Sequence, residues 1–136
     1  SLDGVGVFGV ELFLLADNSV LLNETAPRPH NSGHYTIEGC LTSQFENHLR
    51  AVLGLPLGST ELIAPAAVMV NVLGRRDGAS TLDNLRAALE VTGAHVHLYG
   101  KREVRIGRKM GHVTALGQAV AQAESVARQA ADALDL

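Results

Sequence analysis

Glu11 and Glu24 lie in two strand-like stretches joined by Asp17-Asn18, a pair that tolerates the positive φ of a tight hairpin turn. With Asp17 and Asn18 as the two turn residues, Ala16 faces Ser19 and Glu11 falls opposite Glu24. Like charges opposed across a ladder destabilise a sheet unless something positive lies between them. A hard divalent cation, magnesium above all, takes oxygen ligands from such a pair. The alternative is a turn one residue longer with Glu11 in solvent, which slides the register and parts the carboxylates. Glu11 sits among Val7, Phe8, Val10, Leu12, Phe13 and Leu14, where an ionised group needs a partner.

Directly after Glu24, the segment Pro27-Arg28-Pro29-His30-Asn31-Ser32-Gly33-His34 brings a guanidinium, imidazoles and an amide close along the chain. That set suits a small oxyanion: arginine presents a planar fork of donors, while Asn31 and the histidines orient an anion without adding fixed charge. A plain polar surface loop is the competing reading. Further on, Lys101, Arg102, Arg105, Arg108 and Lys109 place five of the eleven Lys and Arg residues within nine positions. A turn at Ile106-Gly107 sets Arg105 beside Arg108, and two adjacent guanidiniums favour a bound phosphate that offsets their repulsion. A solvated hairpin partly neutralised by Glu103 remains the alternative. His95 and His97 share a strand face, but no carboxylate or cysteine joins them at a metal-binding spacing. Cys40 has no neighbour that marks an activated nucleophile and reads as a small apolar residue.

These groups need a scaffold. Strand signals run from about Val5 to Leu15 and from Val20 to Thr25, and Pro27 with Pro29 force a loop after the second. Ser43 and Glu46 have the capping-box spacing of a helix from about Ser43 to Leu53, with Phe45, Leu49, Val52 and Leu53 as its apolar stripe and Gly54 and Pro56 as its stop. The stretch from Gly54 to Pro65 reads as a linker, dividing the chain into 1–60 and 61–136. Beyond it, 67–73 reads as a buried strand. Ser80-x-x-Asp83 opens a helix with Leu82, Leu85 and Leu89 inward, stopped near Gly93, and His95 to Tyr99 alternates as a strand. A second hairpin turns near Ile106-Gly107 before a strand from Met110 to Leu116. Gly117 to Leu134 forms an alanine-rich helix with Ala119, Val120, Ala123, Val126, Ala127, Ala130 and Leu134 on one face. The fold class is α+β.

The 136 residues are 46% hydrophobic and 18% charged, enough for a real core. A net charge of -3 and a pI near 6.0 argue against a nucleic-acid binder, and no apolar run suits a membrane span. One cysteine leaves no internal disulfide framework and makes the cytoplasm the default. The chain opens almost at once on a strand, as a piece of a longer protein would.

The stretch Asn23-Glu24-Thr25-Ala26-Pro27-Arg28-Pro29-His30-Asn31-Ser32-Gly33-His34, followed by Thr42-Ser43-Gln44-Phe45-Glu46, resembles the 5-(carboxyamino)imidazole ribonucleotide synthase family of ATP-grasp ligases. So do Tyr99-Gly100-Lys101-Arg102-Glu103-Val104-Arg105 and Gly107-Arg108-Lys109-Met110-Gly111-His112. The resemblance covers nearly the whole chain. It implies the C-terminal part of an ATP-grasp domain, a hairpin and helix, followed by a small β-rich domain with flanking helices. It also implies a purine-biosynthetic reaction in which ATP and bicarbonate give carboxyphosphate, whose carboxyl group passes to 5-aminoimidazole ribonucleotide. Glu11 and Glu24 would then hold magnesium on the ATP phosphates, with Asn23 and Glu24 against the nucleotide. Arg28, His30 and Asn31 would be catalytic, positioning bicarbonate or carboxyphosphate, while Lys101, Arg102, Arg105, Arg108 and Lys109 would grip the ribonucleotide phosphate. Ile106 stands where the family is expected to have proline, which leaves individual assignments within the basic group open. The resemblance further implies a homodimer, and an upstream nucleotide-binding portion without which this segment is inactive. Another ATP-grasp ligase, such as a formate-dependent glycinamide ribonucleotide transformylase, and a non-catalytic dimerisation module are the competing functions.

Overall fold

In the computed structural model, residues 3–81 and 83–136 are described, so Leu82, expected on the inner face of a helix, lies outside them. The chain divides into two compact units, residues 1–61 and 62–136. No helix among the described residues is long and apolar enough to cross a membrane.

The first unit is built on an antiparallel hairpin of β1 (Gly9–Leu14) and β2 (Val20–Ala26). β1 is shorter than the apolar pattern suggests. Before it, Gly6 takes a φ of 135° and Val7 donates its N–H to His48 Nδ1 at 3.2 Å, so the preceding chain bonds to a helix instead of to β2. The turn is one residue longer than expected: Leu15, not Ala16, faces Ser19, Asn18 donates to Leu15 O, and Asn18 adopts a φ of 63°. Asp17 Oδ1 accepts from the Ser19 hydroxyl (2.6 Å) and N–H (2.9 Å), and these bonds hold its carboxyl below the usual carboxylate range. The longer turn does not part the glutamates. Leu12 pairs with Leu22 while Glu11 pairs with Glu24, so Asn23 is a bulge that takes up the extra residue and restores the register.

After β2 come a 3-10 turn at Asn31–Gly33, a short helix α1 (Thr36–Gly39) and α2 (Gln44–Val52). Ser43 caps α2 by accepting from Glu46 N–H. At the other end Gly54 takes a φ of 66°, with Gly54 N–H bonding Ala51 O and Leu55 N–H bonding Arg50 O, a Schellman closure. The stripe of Phe45, Leu49, Val52 and Leu53 is 40% to 68% exposed. The face α2 buries carries Asn47 instead, which exchanges hydrogen bonds with both backbone groups of Gly58.

In the second unit, β3 (Ala66–Leu73), β5 (Ala94–Leu98) and β7 (Lys109–Gly117) form an antiparallel sheet in the order β3-β7-β5, and β4 (Gly78–Ala79) pairs with β6 (Glu103–Val104). The turn at Ile106-Gly107 is present, with Arg108 N–H on Arg105 O and Gly107 at a φ of 76°. Its incoming strand β6 nevertheless pairs with β4, not with β7, so the expected second hairpin is replaced by β5 and β7 with residues 99–108 between them. Helix α4 (Val120–Ala133) buries Ala127, Ala130 and Ala131 in a core with Val72, Val113 and Ala115, and Ala123 is buried as well, while Val120 in its first turn is exposed. In α3 (Leu85–Leu89) it is Ala88 that is buried; Leu89 points to solvent, contrary to the apolar spacing. Alanine at the contact lets helix and sheet approach closely, which is how a unit with few large buried side chains still excludes water.

Gly74, just after β3, clasps the basic turn: its N–H bonds Arg108 O, its O accepts from Gly107 N–H, and a Cβ there would lie 2.2 Å from Arg105 O. That atom is backbone and cannot swing aside. Gly74→Ala is therefore expected to destabilise the second unit by about 1–3 kcal/mol, the usual cost of overpacking, read as a lower urea midpoint. An unchanged midpoint would show that the turn moves freely.

Candidate functional site

The bulge at Asn23 and the loop after β2 together assemble a carboxylate–imidazole cluster. Glu11 Oε1 lies 3.5 Å from His30 Nδ1, and Glu24 Oε1 lies 3.2 Å from His30 Nε2, so two carboxylates on facing strand positions converge on one ring. The His30 side chain is 12% exposed, against 37% for Glu11 and 50% for Glu24. Asn23 Nδ2 donates to Glu11 Oε2 at 3.1 Å. Gly9 leaves room for the ring, since a Cβ there would lie 2.6 Å from His30 Cβ.

Gln44, at the first turn of α2, holds the loop that carries His30. Its Oε1 accepts from His30 N–H at 2.9 Å, its Nε2 donates to His30 O at 2.8 Å, and Nε2 also lies 2.8 Å from His34 Nδ1. Thr36 completes the brace, donating its hydroxyl to Gly33 O and accepting from Gln44 N–H. Sequence reasoning gave Gln44 and Thr36 no role. The only local signal for Gln44 was its place just after the capping serine, where a side chain can reach back across the helix end. His30 Nδ1 also meets Ser32 Oγ at 2.8 Å. Arg28 is exposed, donates to Pro29 O at 3.1 Å and forms no ion pair among the described residues, so it is not gathered with the carboxylates. Asn31 begins the 3-10 turn beside His30.

Two carboxylates that meet one imidazole from opposite strands form a pair of hard oxygen ligands. Among the described residues no group of three or more His, Cys, Asp or Glu gathers to hold a metal. The pair fits magnesium all the same, because that ion binds through one or two carboxylates and completes its shell with water and phosphate oxygens.

The basic residues form two subsets. Arg102 and Arg105 line an open cleft of about 600 Å³ with Asp77, Gly78, Ala79 and Glu103. Arg105 Nη2 bonds Glu103 Oε2 at 3.0 Å, Arg108 Nη1 bonds Glu103 O at 3.0 Å, and Ile106 N–H bonds Asp77 Oδ1. Glu103 thus spaces the two guanidiniums that flank the turn. Lys101 folds back over the Tyr99 ring, 5.5 Å from its centroid, and donates to Lys109 O. Burial first, and then the neighbouring Arg108 charge, push the Lys101 ammonium below the usual lysine range. Lys101 and Arg108 are therefore near enough for their charges to repel one another. Lys109 is exposed on β7.

Comparison with known proteins accounts for both halves. Residues 1–45 match the ATP-grasp domain, and residues 67–126 match the phosphoribosylaminoimidazole carboxylase C-terminal domain. The chain is 51% identical over 129 residues to the chloroplastic phosphoribosylaminoimidazole carboxylase of Vigna aconitifolia, covering 92% of this chain and 23% of that protein. It resembles N5-carboxyaminoimidazole ribonucleotide synthetase from Thermotoga maritima with a TM-score of 0.86 at 53% identity, covering 97% of this chain and 37% of that one. It also resembles N5-carboxyaminoimidazole synthase from Aspergillus clavatus, solved in complex with ADP and 5-aminoimidazole ribonucleotide, with a TM-score of 0.81 at 46% identity over 93% of this chain and 34% of that one. The chain thus spans between 23% and 37% of these proteins. With an ATP-grasp match, the carboxylase C-terminal domain and about half of its residues in common with such synthases, the chain corresponds to a segment of N5-carboxyaminoimidazole ribonucleotide synthases.

Proposed function

We propose that the protein containing this chain is an ATP-dependent ligase of purine biosynthesis that carboxylates 5-aminoimidazole ribonucleotide. Bicarbonate attacks the γ-phosphorus of ATP, ADP leaves, and carboxyphosphate then gives up its carboxyl group to the exocyclic amine with release of phosphate. The observation that supports the reading is that Glu11 and Glu24 face one another across the hairpin and both approach the His30 ring, so that a cation held there would draw on both carboxylates. Magnesium bound there would neutralise charge on the ATP phosphates. Asn23, which donates to Glu11, would steady that carboxylate next to the nucleotide.

Arg28, His30 and Asn31 serve the oxyanion. The His30 backbone is held by two bonds to Gln44, which fixes the loop that carries its ring. Arg28 swings from Pro29 O to meet bicarbonate or carboxyphosphate, where a guanidinium stabilises the transferring group. Lys101 and Arg108 grip the ribonucleotide phosphate, with Arg102, Arg105 and Lys109 supplying the surrounding positive field. The working protein is a cytoplasmic homodimer.

ADP release from ATP, magnesium and bicarbonate, with and without 5-aminoimidazole ribonucleotide, tests the reading. A full-length synthase carrying this segment is expected to release ADP in a ribonucleotide-dependent manner, and the 136-residue chain alone to release none. Turnover by the isolated chain, or a full-length protein that uses formate in place of bicarbonate, would overturn it.

A further inference from the structure

The sheet of the second unit has a polar face as well as an apolar one. Val68, Val70, Val72, Val96, Val113 and Ala115 join the core that α4 covers. By alternation, the row Asn71–His112–His97 across β3, β7 and β5 lies on the other face. There His112 is only 2% exposed. Its ring is stacked on that of His97 at 4.5 Å and 14°, and its Nδ1 lies 3.0 Å from Tyr99 Oη. Tyr99 follows His97 by two residues, and its N–H bonds Met110 O. Gly100 then takes a φ of 65°, reversing the chain so that Lys101 returns across the Tyr99 ring to Lys109 O. The result is an unbroken series: buried histidine, tyrosine hydroxyl, tyrosine face, lysine ammonium.

We infer that Tyr99 and His112 are positioning residues that hold Lys101 in place for the ribonucleotide phosphate. The inference rests on the reading of Lys101 as a phosphate contact. A free lysine has a flexible four-carbon stem, and a phosphate that must first order it binds more weakly than one that meets it already ordered. The Tyr99 face lies within cation–π distance of the ammonium. The His112 bond fixes the ring's tilt from a residue that is itself buried in the central strand. Neither residue needs to touch the substrate.

Steady-state kinetics on a full-length synthase carrying this segment decides the matter, with Tyr99→Phe and Tyr99→Leu made in both the parent and the Lys101→Ala backgrounds. Tyr99→Phe keeps the ring and loses the hydroxyl; Tyr99→Leu loses both. The expected rise in ribonucleotide KM is about threefold for Tyr99→Phe and about tenfold for Tyr99→Leu, with kcat and the ATP KM within about twofold of the parent. In the Lys101→Ala background neither substitution should raise KM further, because nothing remains to position. His112→Gln, whose amide can hydrogen-bond in either direction, should stay near the parent, while His112→Leu should follow Tyr99→Phe. Equal effects in both backgrounds, or none in the parent, would overturn the inference while a raised KM in Lys101→Ala left the phosphate contact standing. An unchanged KM in Lys101→Ala itself would remove the phosphate contact, and the positioning role with it.

Discussion

Glu24→Gln in a full-length synthase carrying this segment should lower ATP turnover by about two orders of magnitude while leaving the fold as stable as before or slightly more so. The loss follows from removing one of the two carboxylates proposed to hold magnesium; losing one preorganised electrostatic contribution to a transition state costs about 10²–10³ in rate. The stability side follows from the same geometry. Glu24 faces Glu11 across the ladder, half exposed, and like charges directly opposite one another work against the sheet. Glutamine is isosteric, removes that repulsion, and keeps an oxygen that can still reach His30 Nε2. Catalysis and stability should therefore move in opposite directions, which a merely structural glutamate would not do. ADP release titrated with magnesium, beside thermal unfolding of the same protein, checks both. Turnover within about threefold of the parent at saturating magnesium would mean that Glu24 is not a metal ligand.

That argument depends on a register the sequence foretold for an incomplete reason. Glu11 was expected opposite Glu24 because Asp17-Asn18 was read as a two-residue turn; the turn contains a further residue, and Asn23 bulges to compensate. Turn chemistry is local and visible in Asp, Asn and Ser. A bulge is a property of two strands together and leaves no composition signature, especially when the bulged residue is a polar one that also bonds the neighbouring carboxylate. The same division explains the other outcomes. The caps of α2 were legible because Ser43 and Gly54 act within a few residues of themselves. The pairing of β6 with β4, and the alanine-mediated seating of α4, depend on partners far along the chain. Apolar spacing misled for α2 and Leu89, since period alone marks a face without naming what covers it. His112 shows the converse: it stands in plain view at the end of Gly107-Arg108-Lys109-Met110-Gly111-His112, but only the sheet register reveals that it stacks on His97 and reaches Tyr99.

Arg108→Ala provides the second large effect and separates two contributions to phosphate binding. Removing a guanidinium that contacts a phosphate should raise the ribonucleotide KM by about 10- to 30-fold, since hydrogen bonds to charged groups contribute about 1.5–3 kcal/mol each. The ATP KM should hardly change, because the proposed contact of Arg108 is to the ribonucleotide phosphate and not to ATP. The pH dependence adds an independent signature. Phosphate affinity needs Lys101 charged and is lost as pH rises through the Lys101 pKa, which burial, and to a lesser degree Arg108, hold below the ordinary lysine value. Arg108→Ala removes the smaller of those two causes. The alkaline limb of 1/KM for ribonucleotide should therefore move to higher pH in the variant even as the plateau falls, and it should stop short of the ordinary lysine range because the burial remains. Arg108→Lys would preserve the neighbouring charge and so leave the limb near its parent position while still lowering the plateau through the lost fork of donors. A limb that shifted downward in Arg108→Ala would mean that Lys101 does not carry the titration, and that the phosphate is held from elsewhere in the basic group.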